Sequence, residues 1–532
     1  MDNAYCTDYH QSNSFSKLFL DYIDGKEELR QFYQFEPNIN SLQAVIDGKS
    51  KEQINRKVLV EQLIKQYQNS SITLNSKVQD NINALLQENT YTITTGHQFA
   101  LFTGEWYFIF KILTAIKMAE DAKLKYPNYN FVPVFWMASE DHDFEEINHI
   151  NLAGHTFQWN ENAGGPAGRI KTDSLNIVID SLKHFLHDRV YANDLISIFK
   201  EAYKKGNTLA QATRYLVNEL FKDEGLVIID ADDIGLKKTW IPTIKNEVIN
   251  QLSYEACEIQ TQQLEKINYS SQIFPREINM FYILDGYRER IIKENSKFKT
   301  NDNRFEFTES EIISEIENHP ERFSPNVVMR PVYQESILPN LCYIGGPGEI
   351  AYWLQLKTVF EKHNIQYPIL AWRNSFMISS EKDLLKWNEL GFELKDFFKK
   401  INDLENDYVL KHQTEKINLE EEEILLKNYI EKIKAKATSV DSNLKYTLQG
   451  TEKRILRIME RIEYKIWKAE KRKYKTELSK ISDLKSQYFP KGKLQERHDN
   501  FSLWYSENGK KGMELLQYNT NPLITQIKIL KF

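Results

Sequence analysis

The feature that most constrains this chain is a strand, loop, helix and strand pattern that begins near residue 91. The stretch YTITT (91–95) is β-branched and aromatic, which favours a strand. After the loop GHQFALFTG (96–104), the apolar segment EWYFIFKILTAIKMAEDAK (105–123) has the length of a helix. FVPVFWMAS (131–139) then has the pattern of a second buried strand. This order predicts two parallel strands with a right-handed crossover, the unit of an α/β sheet.

Further strand candidates follow along the chain. Residues 1–88 are polar with short apolar periodicity, and we interpret them as helical. Between about 150 and 325 the pattern mixes helix and strand, which is typical of material inserted into an α/β sheet. The later strand candidates are GLVIID (225–230), FYILDG (281–286), NVVMRPVY (326–333) and QYPILAWRN (366–374).

Residues 381–480 have a different composition. They contain 43 charged residues and no proline, against 27% charged residues in the whole chain. A break at ATSVDSN (437–443) predicts two long helices that fold back on each other. The apolar residues of the second helix follow heptad-like steps, so they need a partner in the same hairpin or in another subunit. These residues are Leu448, Ile455, Ile462, Ile466 and Ala469.

Composition excludes several classes of protein. The chain has 532 residues, and its formal net charge of −6 argues against a dedicated nucleic-acid binder. The three cysteines form no CxxC pair, so neither a zinc ribbon nor a redox motif is present. No run of about 18 apolar residues predicts a membrane span, and the first residues have no apolar signal core. We therefore expect a cytoplasmic protein with no nucleic acid and no membrane as partner.

The turn between the first strand and its helix is the first candidate site. Ligands of parallel sheets gather at the carboxyl ends of the strands, and a helix N-terminus favours phosphate or carboxylate. His97 can donate a hydrogen bond to such an anion, although a histidine that only caps the turn gives the same pattern. The candidate residues here are Thr95, Gly96, His97, Gln98, Thr103 and Gly104.

The second candidate site is SEDHDFEEINH (139–149), directly after the second predicted strand. Crowded carboxylates raise one another's pKa, which suits a general base, and Asp141 and His142 are the candidates for that role. Glu140 and Asp143 are candidates for substrate binding. Acids in the first turn of a helix are also favoured by the helix dipole alone. We expect no zinc site, because no HExxH motif or cysteine set accompanies the cluster.

Two later segments also carry candidate binding residues. GGPGE (345–349) is a glycine-rich loop before an apolar helix, but no GK[ST] follows as in a P-loop. AWRNSF (371–376) places an arginine at a strand end, where it can bind carboxylate or phosphate bidentately. The candidates are Arg330, Gln334, Gly345, Gly346, Glu349, Arg373 and Asn374, with weaker signals at Arg276, Asn279 and Arg288, which could equally be ion pairs that hold an inserted domain.

Four segments resemble a known family. They are TGHQFALFTGEWYFIFKILTAI, PVFWMASEDHDFEEINH, MRPVYQESILPNLCYIGGPGEIAYWLQLK and KLQER, and they resemble the bacillithiol-biosynthesis cysteine-adding enzymes. The resemblance implies an α/β fold: a Rossmann-like, nucleotidyltransferase-type core with inserted connecting-peptide segments, plus a long α-helical coiled coil that mediates a homodimer. It also implies a ligase that adds L-cysteine to the amino group of glucosaminyl-malate to form bacillithiol.

The resemblance and the residue patterns together predict the domain organisation. We expect the N-terminal helical part of the core at 1–88, the first half of the core at 89–150 and inserted segments with further core strands at 151–325. The second half of the core follows at 326–380, the coiled coil at 381–485, and a C-terminal segment that packs on the core at 486–532.

Amide formation from a free carboxylate needs activation, most simply by ATP. Asp141 or His142 would take a proton from the attacking amine or position it. His97, with Gly96 and Gln98, would hold the charge that develops on the activated group, and Arg330 and Arg373 would bind the two carboxylates of malate. The intermediate, the identity of the base and the position of the nucleotide stay open. The alternatives are a metal-dependent hydrolase built on EDHDFEEINH and a coiled-coil scaffold with a ligand-sensing α/β domain.

Overall fold

The computed structural model describes residues 4–70, 72–161, 163–414 and 418–531. The chain forms two compact units. One comprises the residues up to Ile378 together with Lys493–Leu530, and the other is built on Ser379–Gly492. In chain order the strands are β1 (Ala4–Asp8), β2 (Thr90–Gln98), β3 (Asn130–Ala138), β4 (His149–Leu152), β5 (His155–Gln158), β6 (Val227–Asp230), β7 (Met280–Leu284), β8 (Tyr287–Glu294), β9 (Lys297–Thr300), β10 (Glu306–Phe307), β11 (Phe323–Pro325), β12 (Asn340–Gly345), β13 (Ile369–Trp372), β14 (Ser375–Ser379) and β15 (Gln526–Lys531).

Helices precede, connect and follow these strands. They are α1 (Lys17–Ile23), α2 (Leu42–Lys49), α3 (Arg56–Asn69), α4 (Ser76–Ala84), α5 (Tyr107–Lys125), α6 (Phe144–Ile147), α7 (Asn176–Leu186), α8 (Ala192–Ala202), α9 (Leu209–Phe221), α10 (Ile234–Asn250), α11 (Leu252–Lys266), α12 (Glu309–Asn318), α13 (Met329–Ile337), α14 (Pro347–Trp353), α15 (Lys357–Lys362), α16 (Glu381–Glu389), α17 (Ile401–His412), α18 (Glu420–Thr438), α19 (Leu444–Lys473), α20 (Lys475–Tyr488) and α21 (Ser502–Asn519). Within the described ranges, every helix is too short or too polar to span a lipid bilayer.

A five-stranded parallel sheet organises the first unit. Its strands lie in the order β6-β3-β2-β12-β13, and each neighbouring pair is parallel. If these five strands are numbered 1 to 5 in chain order, their order in the sheet is 3-2-1-4-5, which is that of a Rossmann-like sheet. The predicted strand, helix and strand unit is confirmed as β2, α5 and β3. The strand order reverses between β2 and β12, so the ligand cleft of such a sheet is expected there.

The other predicted strands have three different outcomes. GLVIID and QYPILAWRN are confirmed as the sheet strands β6 and β13, and the helical interpretation of 1–88 is confirmed by α1 to α4, although β1 also lies there. FYILDG is strand β7, but it belongs to a separate antiparallel sheet with the order β10-β9-β8-β7-β11. This sheet lies between β6 and β12 in sequence, which agrees with the mixed insertion expected there.

The strand predicted at 326–333 is wrong, because most of that segment is helix α13. The side chain of Asn326 accepts hydrogen bonds from the backbone N–H of Val328 (2.9 Å) and Met329 (3.3 Å), which starts the turn. Pro331 lies in the first helical turn, where its missing N–H costs nothing. The strand of this region is β12, which begins only at Asn340 and pairs with both β2 and β13.

The core of this unit lies between α5 and the parallel sheet. Ala115, Met118 and Ala122 on one side of α5 are buried in the same cluster as Ile93 of β2 and Ile344 of β12. The amphipathic spacing of these α5 residues is that of a helix with one face on a sheet. Packing on this face fixes where α5 begins relative to the carboxyl ends of β2 and β12.

The second unit is helical, and its main feature is a hairpin of α18 and α19. The break predicted at 437–443 is confirmed, because α18 ends at Thr438 and α19 begins at Leu444. Leu448 and Ile455 of the predicted seam are partly buried, but Ile462 remains 43% exposed and Ile466 39% exposed. The hairpin therefore covers only part of its own apolar seam.

Candidate active site

The end of β2 and the loop after β12 meet where the strand order reverses. Thr95 is fully buried, and its hydroxyl donates to the carbonyl of Ile344 at 2.8 Å, so it joins the two strands. A Cβ on Gly96 would already be in van der Waals contact with Trp136 and with the Tyr343 hydroxyl, at 3.5 Å each. A larger side chain at position 96 would therefore meet these neighbours. Thr95 therefore has a structural role, and Gly96 lies at the strand end where the ligand cleft is expected.

An ion pair between a buried lysine and a partly exposed glutamate crosses this junction. The Lys111 ammonium on α5 donates to the carbonyl of Gly96 at 2.5 Å and pairs with the carboxylate of Glu349 on α14. Burial lowers the pKa of Lys111, against the charge of Glu349. Lys111 is not among the residues predicted from the sequence. A lone lysine within the apolar run FIFKILTAI does indicate a paired charge, because lysine is rarely buried unless paired.

The carboxylate of Glu349 has no free oxygen in this structure. It accepts hydrogen bonds from the Tyr343 hydroxyl at 2.6 Å and from the Gly346 backbone N–H at 2.8 Å, in addition to Lys111. Burial alone would raise the pKa of Glu349, but Lys111 and these donors keep it below its ordinary value. Gly345 and Gly346 leave little space, since a Cβ on Gly346 would lie 3.3 Å from the Glu349 carboxylate. Glu349 thus fixes the glycine loop.

His97 is neutral, and its protonated ring nitrogen donates a hydrogen bond within the fold. Its Nδ1 lies 2.7 Å from the carbonyl of Gln98, which can only accept, so Nδ1 carries the proton and Nε2 a lone pair. Burial and the charge of Lys111 lower the pKa of His97 to about 4. The hydrogen bond to an anion that the sequence predicted would need a second proton on the ring, which this environment opposes.

The segment after β3 brings together Gln98, Asp141, His142 and Arg288. Gln98 donates from its side-chain amide to Asp141, and the backbone N–H of His142 donates to the same carboxylate at 2.8 Å. Burial alone would raise the pKa of Asp141, but the contacts with His142 and Gln98 and the charge of Arg288 lower it. A carboxylate with such a low pKa is a weak proton acceptor and a good hydrogen-bond acceptor for an ammonium or amine.

Glu140 and Asp143 have structural partners. The buried ammonium of Lys237 pairs with Glu140 and lies 3.2 Å from Asp232, which in turn accepts two hydrogen bonds from Arg169. Asp143 caps α6 by accepting from the backbone N–H of Glu146 at 3.3 Å. The acidic cluster is therefore dispersed, and among the described residues no group of three or more His, Cys, Asp and Glu side chains is arranged to hold a metal ion.

Arg330 and Gln334 lie on α13 beside the glycine loop. Arg330 donates to the side chain of Gln334 at 3.1 Å and to the Tyr352 hydroxyl at 3.3 Å, and its guanidinium lies 5.4 Å from the centre of the Tyr343 ring. Burial would lower the pKa of Arg330, but Tyr352, Tyr343 and Glu349 raise it, so it stays charged. Its partners are mostly neutral, which leaves its charge available.

Arg373 and Asn374 are held from within the fold. Arg373 donates to its neighbour's carbonyl at 3.0 Å and pairs at 2.7 Å with Glu496, a buried residue of the KLQER segment. Its Nε is buried without a partner among the described residues. Asn374 uses its side chain to bind Thr114 and the backbone of Asn521. Arg373 thus places a charge directly after the end of β13, whereas Asn374 joins chain segments.

Arg497 adds a cation that no carboxylate of the described residues pairs with directly. Arg497 is exposed, but desolvation by its neighbours and the charge of Arg373 lower its pKa, against Glu496 and Tyr107. This region therefore contains more cations than carboxylates. The cations are Lys111, Arg330, Arg373 and Arg497, and the carboxylates are Glu349 and Glu496. A third carboxyl, Glu105, lies near Tyr107, and burial raises its pKa. This surplus of positive charge is complementary to an anionic ligand. We refer to six of these residues as the switch-point cluster: Lys111, Arg330, Arg373, Arg497, Glu349 and Glu496.

The loop between β2 and α5 is strained. Phe102 (φ 49°), Thr103 (φ 73°) and Gly104 (φ 66°) are all left-handed, and a Cβ on Gly104 would lie 2.5 Å from that of Ala100. Asn500 stabilises this turn by donating from its side chain to the carbonyls of Phe102 and Gly104. The hydroxyl of Thr103 is buried with no partner among the described residues. A β-branched residue with a positive φ is energetically unfavourable, and residues with such backbone strain are concentrated at functional sites.

The weaker sequence signals separate in the structure. Asn279 is buried and binds Glu247 and Ser253, so it joins α10 and α11 to the inserted sheet. Among the described residues, Arg276 is hydrogen-bonded only through its backbone, to the side chain of Asn279. Arg288 alone reaches the residues after β3, and nothing in its local sequence distinguishes it from Arg276.

Comparison with known proteins gives one family. Residues 3–374 match the model described as bacillithiol biosynthesis BshC, N-terminal Rossmann-like domain, and residues 376–532 match its C-terminal coiled-coil domain. Relatives named "Putative cysteine ligase BshC" are 44% identical in Flavobacterium johnsoniae, 41% in Flavobacterium psychrophilum and 39% in Christiangramia forsetii. Each alignment covers 99% of this chain and 99% of the relative.

The lowered pKa of His97 predicts an acid-sensitive stability. In the unfolded chain His97 returns to an ordinary pKa of 6.5, against about 4 when folded. The unfolded state therefore binds a proton first as the pH falls, and the folded state loses roughly 2 kcal/mol of stability between pH 7.5 and pH 5 through this residue. Urea unfolding at the two pH values should show this loss in the wild type and a smaller one in His97→Gln.

The exposed His184 provides the matched control. His184→Gln should retain the full difference between pH 7.5 and pH 5. If His97→Gln loses as much stability on acidification as the wild type, His97 is not held neutral by its surroundings.

Proposed function

We propose that this chain, which belongs to the bacillithiol biosynthesis BshC family, is a cysteine ligase that joins L-cysteine to the amino group of glucosaminyl-malate in an ATP-dependent reaction. The family membership rests on two models that cover nearly the whole chain. The observation that supports an anionic substrate most strongly is the surplus of positive charge at the switch-point cluster.

The chemistry of amide formation sets what the site must supply. A cysteine carboxylate is a poor acyl donor, so we infer activation by ATP to an acyl-adenylate or an acyl-phosphate. The amine of glucosaminyl-malate then attacks the acyl carbon, the C–N bond forms, and the bond to AMP or phosphate breaks. The amine proton leaves to solvent or to a base. The site therefore needs cations for phosphate and carboxylates, and donors for the oxygen of the tetrahedral intermediate.

Binding of the anionic groups is assigned to the switch-point cluster. Arg497 is its best candidate because its guanidinium makes no hydrogen bond to the described residues, and Arg330 has mainly neutral partners. Arg373 is a weaker direct ligand, since Glu496 already occupies one edge of it. Its unpartnered Nε remains available, and it lies next to Gly346.

Orientation of the amine is assigned to Asp141. Its carboxylate is held by Gln98 and by the backbone of His142, and it faces the end of β2. Its lowered pKa suits an acceptor that stays ionised and holds the amine by hydrogen bonds. His97, Gln98 and Gly96 would then lie beside the acyl group, with the lone pair of His97 Nε2 as a second acceptor.

We also propose that the coiled-coil hairpin forms a homodimer. Ile458, Ile462 and Ile466 lie four residues apart on α19, and they are 54%, 43% and 39% exposed. Residues at this spacing form one stripe on a helix. A second copy of the same hairpin would bury this stripe and complete the seam that α18 leaves open.

The reaction is tested with purified protein, glucosaminyl-malate, L-cysteine and ATP, read by mass spectrometry. The proposal predicts the amide product, with AMP if the intermediate is an adenylate and ADP if it is an acyl-phosphate. Arg497→Ala should raise the KM of the anionic substrate that it binds by about 10- to 100-fold, because a charge-assisted hydrogen bond is lost.

Lys493→Ala is the matched control, since Lys493 is an exposed cation four residues earlier. It should behave like the wild type. Absence of product from the wild type with every nucleotide would contradict the ligase assignment. An unchanged KM in Arg497→Ala would remove Arg497 from the site.

The dimer is tested by sedimentation of the full chain. The wild type should sediment at twice the chain mass of 62.8 kDa, and Ile462→Glu should sediment as a monomer because a charge is placed in the seam. Tyr464→Glu is the control, since Tyr464 is 64% exposed on the same helix but outside the stripe. A monomeric wild type would contradict the proposal.

A further inference from the structure

His142 receives a hydrogen bond on its ring from the inserted antiparallel sheet. Nη1 of Arg288, on β8, lies 2.7 Å from Nδ1 of His142. A guanidinium can only donate, so Nδ1 must be the acceptor and must carry no proton. The neutral ring then has its proton on Nε2. The side chain of His142 is 49% exposed, and Nε2 makes no hydrogen bond to a described residue.

The nearby carboxylate does not reverse this assignment. Nδ1 of His142 lies 3.6 Å from Oδ1 of Asp141, which is beyond hydrogen-bond distance. A proton on Nδ1 would also point at an N–H of Arg288 only 2.7 Å away. The arrangement therefore differs from an Asp–His pair, in which the carboxylate accepts from the ring and leaves a lone pair for catalysis.

Arg288 is held firmly in this position. Its guanidinium lies 3.7 Å from the centre of the Phe281 ring, which belongs to the adjacent strand β7. Its side chain is 8% exposed, and Nε is buried without a partner among the described residues. Such an unsatisfied buried group is destabilising. Arg288 thus reaches His142 from a packed position, and Asp141 lies 4.0 Å from the same Nη1.

We infer that Arg288 is a positioning residue that fixes His142 in the Nε2–H tautomer, so that His142 serves as a hydrogen-bond donor to an oxygen of the substrate. This inference rests on the proposed function for the identity of that oxygen. It replaces the role of proton acceptor that the sequence suggested for His142. The assignment concerns the chemistry of the ring and holds for a carboxylate, an acyl oxygen or a phosphoryl oxygen.

In the proposed reaction the oxygen is that of the acyl carbon. When the amine nitrogen forms the C–N bond, an electron pair of the C=O bond moves to oxygen. The Nε2–H of His142 donates to that oxygen, and no proton is transferred. When the pair returns, the bond to the leaving group breaks. A neutral donor is suited to this step because it does not neutralise Asp141, which holds the amine.

The tautomer is tested directly by nitrogen NMR of the full chain labelled with ¹⁵N-histidine. The His142 signals are identified by their absence in His142→Ala, and spectra are recorded above neutral pH, where an ordinary imidazole is uncharged. The inference predicts a protonated Nε2 and an unprotonated Nδ1 in the wild type. Arg288→Ala should shift this ring toward a mixture of tautomers.

Arg304→Ala is the matched control, because Arg304 also lies over aromatic rings, those of Tyr287 and Phe305, but away from His142. It should leave the His142 signals unchanged. A proton on Nδ1 in the wild type, or an unchanged ring in Arg288→Ala, would overturn the inference. This readout needs no turnover, so it is independent of whether the ligase assignment holds.

Activity gives a second test that does not depend on folding of an Arg288 variant, because His142 is half exposed. The amide of glutamine can donate from about the position of Nε2, whereas that of asparagine cannot reach it. His142→Ala and His142→Asn should lower kcat by about 100-fold, as for loss of one oxyanion donor, and His142→Gln should stay within about tenfold of the wild type. Equal losses in all three variants would overturn the donor role.

Discussion

The pair between Lys111 and Glu349 is the interaction on which the rest of the cleft depends. Two buried charges are destabilising unless their remaining hydrogen-bonding groups are satisfied. Here the carbonyl of Gly96, the backbone of Gly346 and the hydroxyl of Tyr343 complete both groups. Because these partners come from β2, β12 and the loop after it, the pair fixes the two edges of the cleft against α5. Loss of Glu349 would leave Lys111 buried without its charge partner and would remove the acceptor that holds the glycine loop.

Segments far from the sheet in sequence supply the polar groups around this centre. The inserted sheet brings Arg288 to His142, and the C-terminal segment brings Glu496 to Arg373 and Asn500 to the strained turn after β2. The parallel sheet thus provides the position, and in the proposed reaction the two additional segments would provide much of the chemistry. This division explains how the order of a Rossmann-like sheet can serve a reaction whose donors do not lie on the sheet itself.

The sequence predicted those parts of the fold whose signal is local. The β2, α5 and β3 unit follows from periodicity over some fifty residues, and the hairpin break from a cluster of polar and small residues. β12 was missed because a buried run of six residues is ambiguous between strand and helix. The strand prediction at 326–333 failed for a related reason. The β-branched residues of this segment favour a strand, but Asn326 and Pro331 favour the start of a helix.

The candidate site shows the same limit more sharply. Gly96, Gly346 and Asp141 could be named as candidates because glycines and acids at strand ends are readable in one segment, and their roles stay predictions. Glu140 and Asn374 have the same local appearance but are used by partners 97 and 260 residues away in sequence. Asp143 caps α6 locally, which is the helix-start alternative that the acidic segment also allowed. Lys111, Glu496 and Arg497 acquire their meaning only from tertiary contacts, and no local pattern encodes the partner of a buried charge.

The central claim is that substrates bind where the strand order reverses, and a crystal structure with ligands tests it most directly. Crystals of the chain with glucosaminyl-malate and a non-hydrolysable ATP analogue should show anionic groups within hydrogen-bond distance of Arg497 and Arg330. The reacting amine should lie between Gly96 and Asp141. Both ligands bound away from the carboxyl ends of β2 and β12, with the switch-point cluster unchanged and empty, would contradict the account.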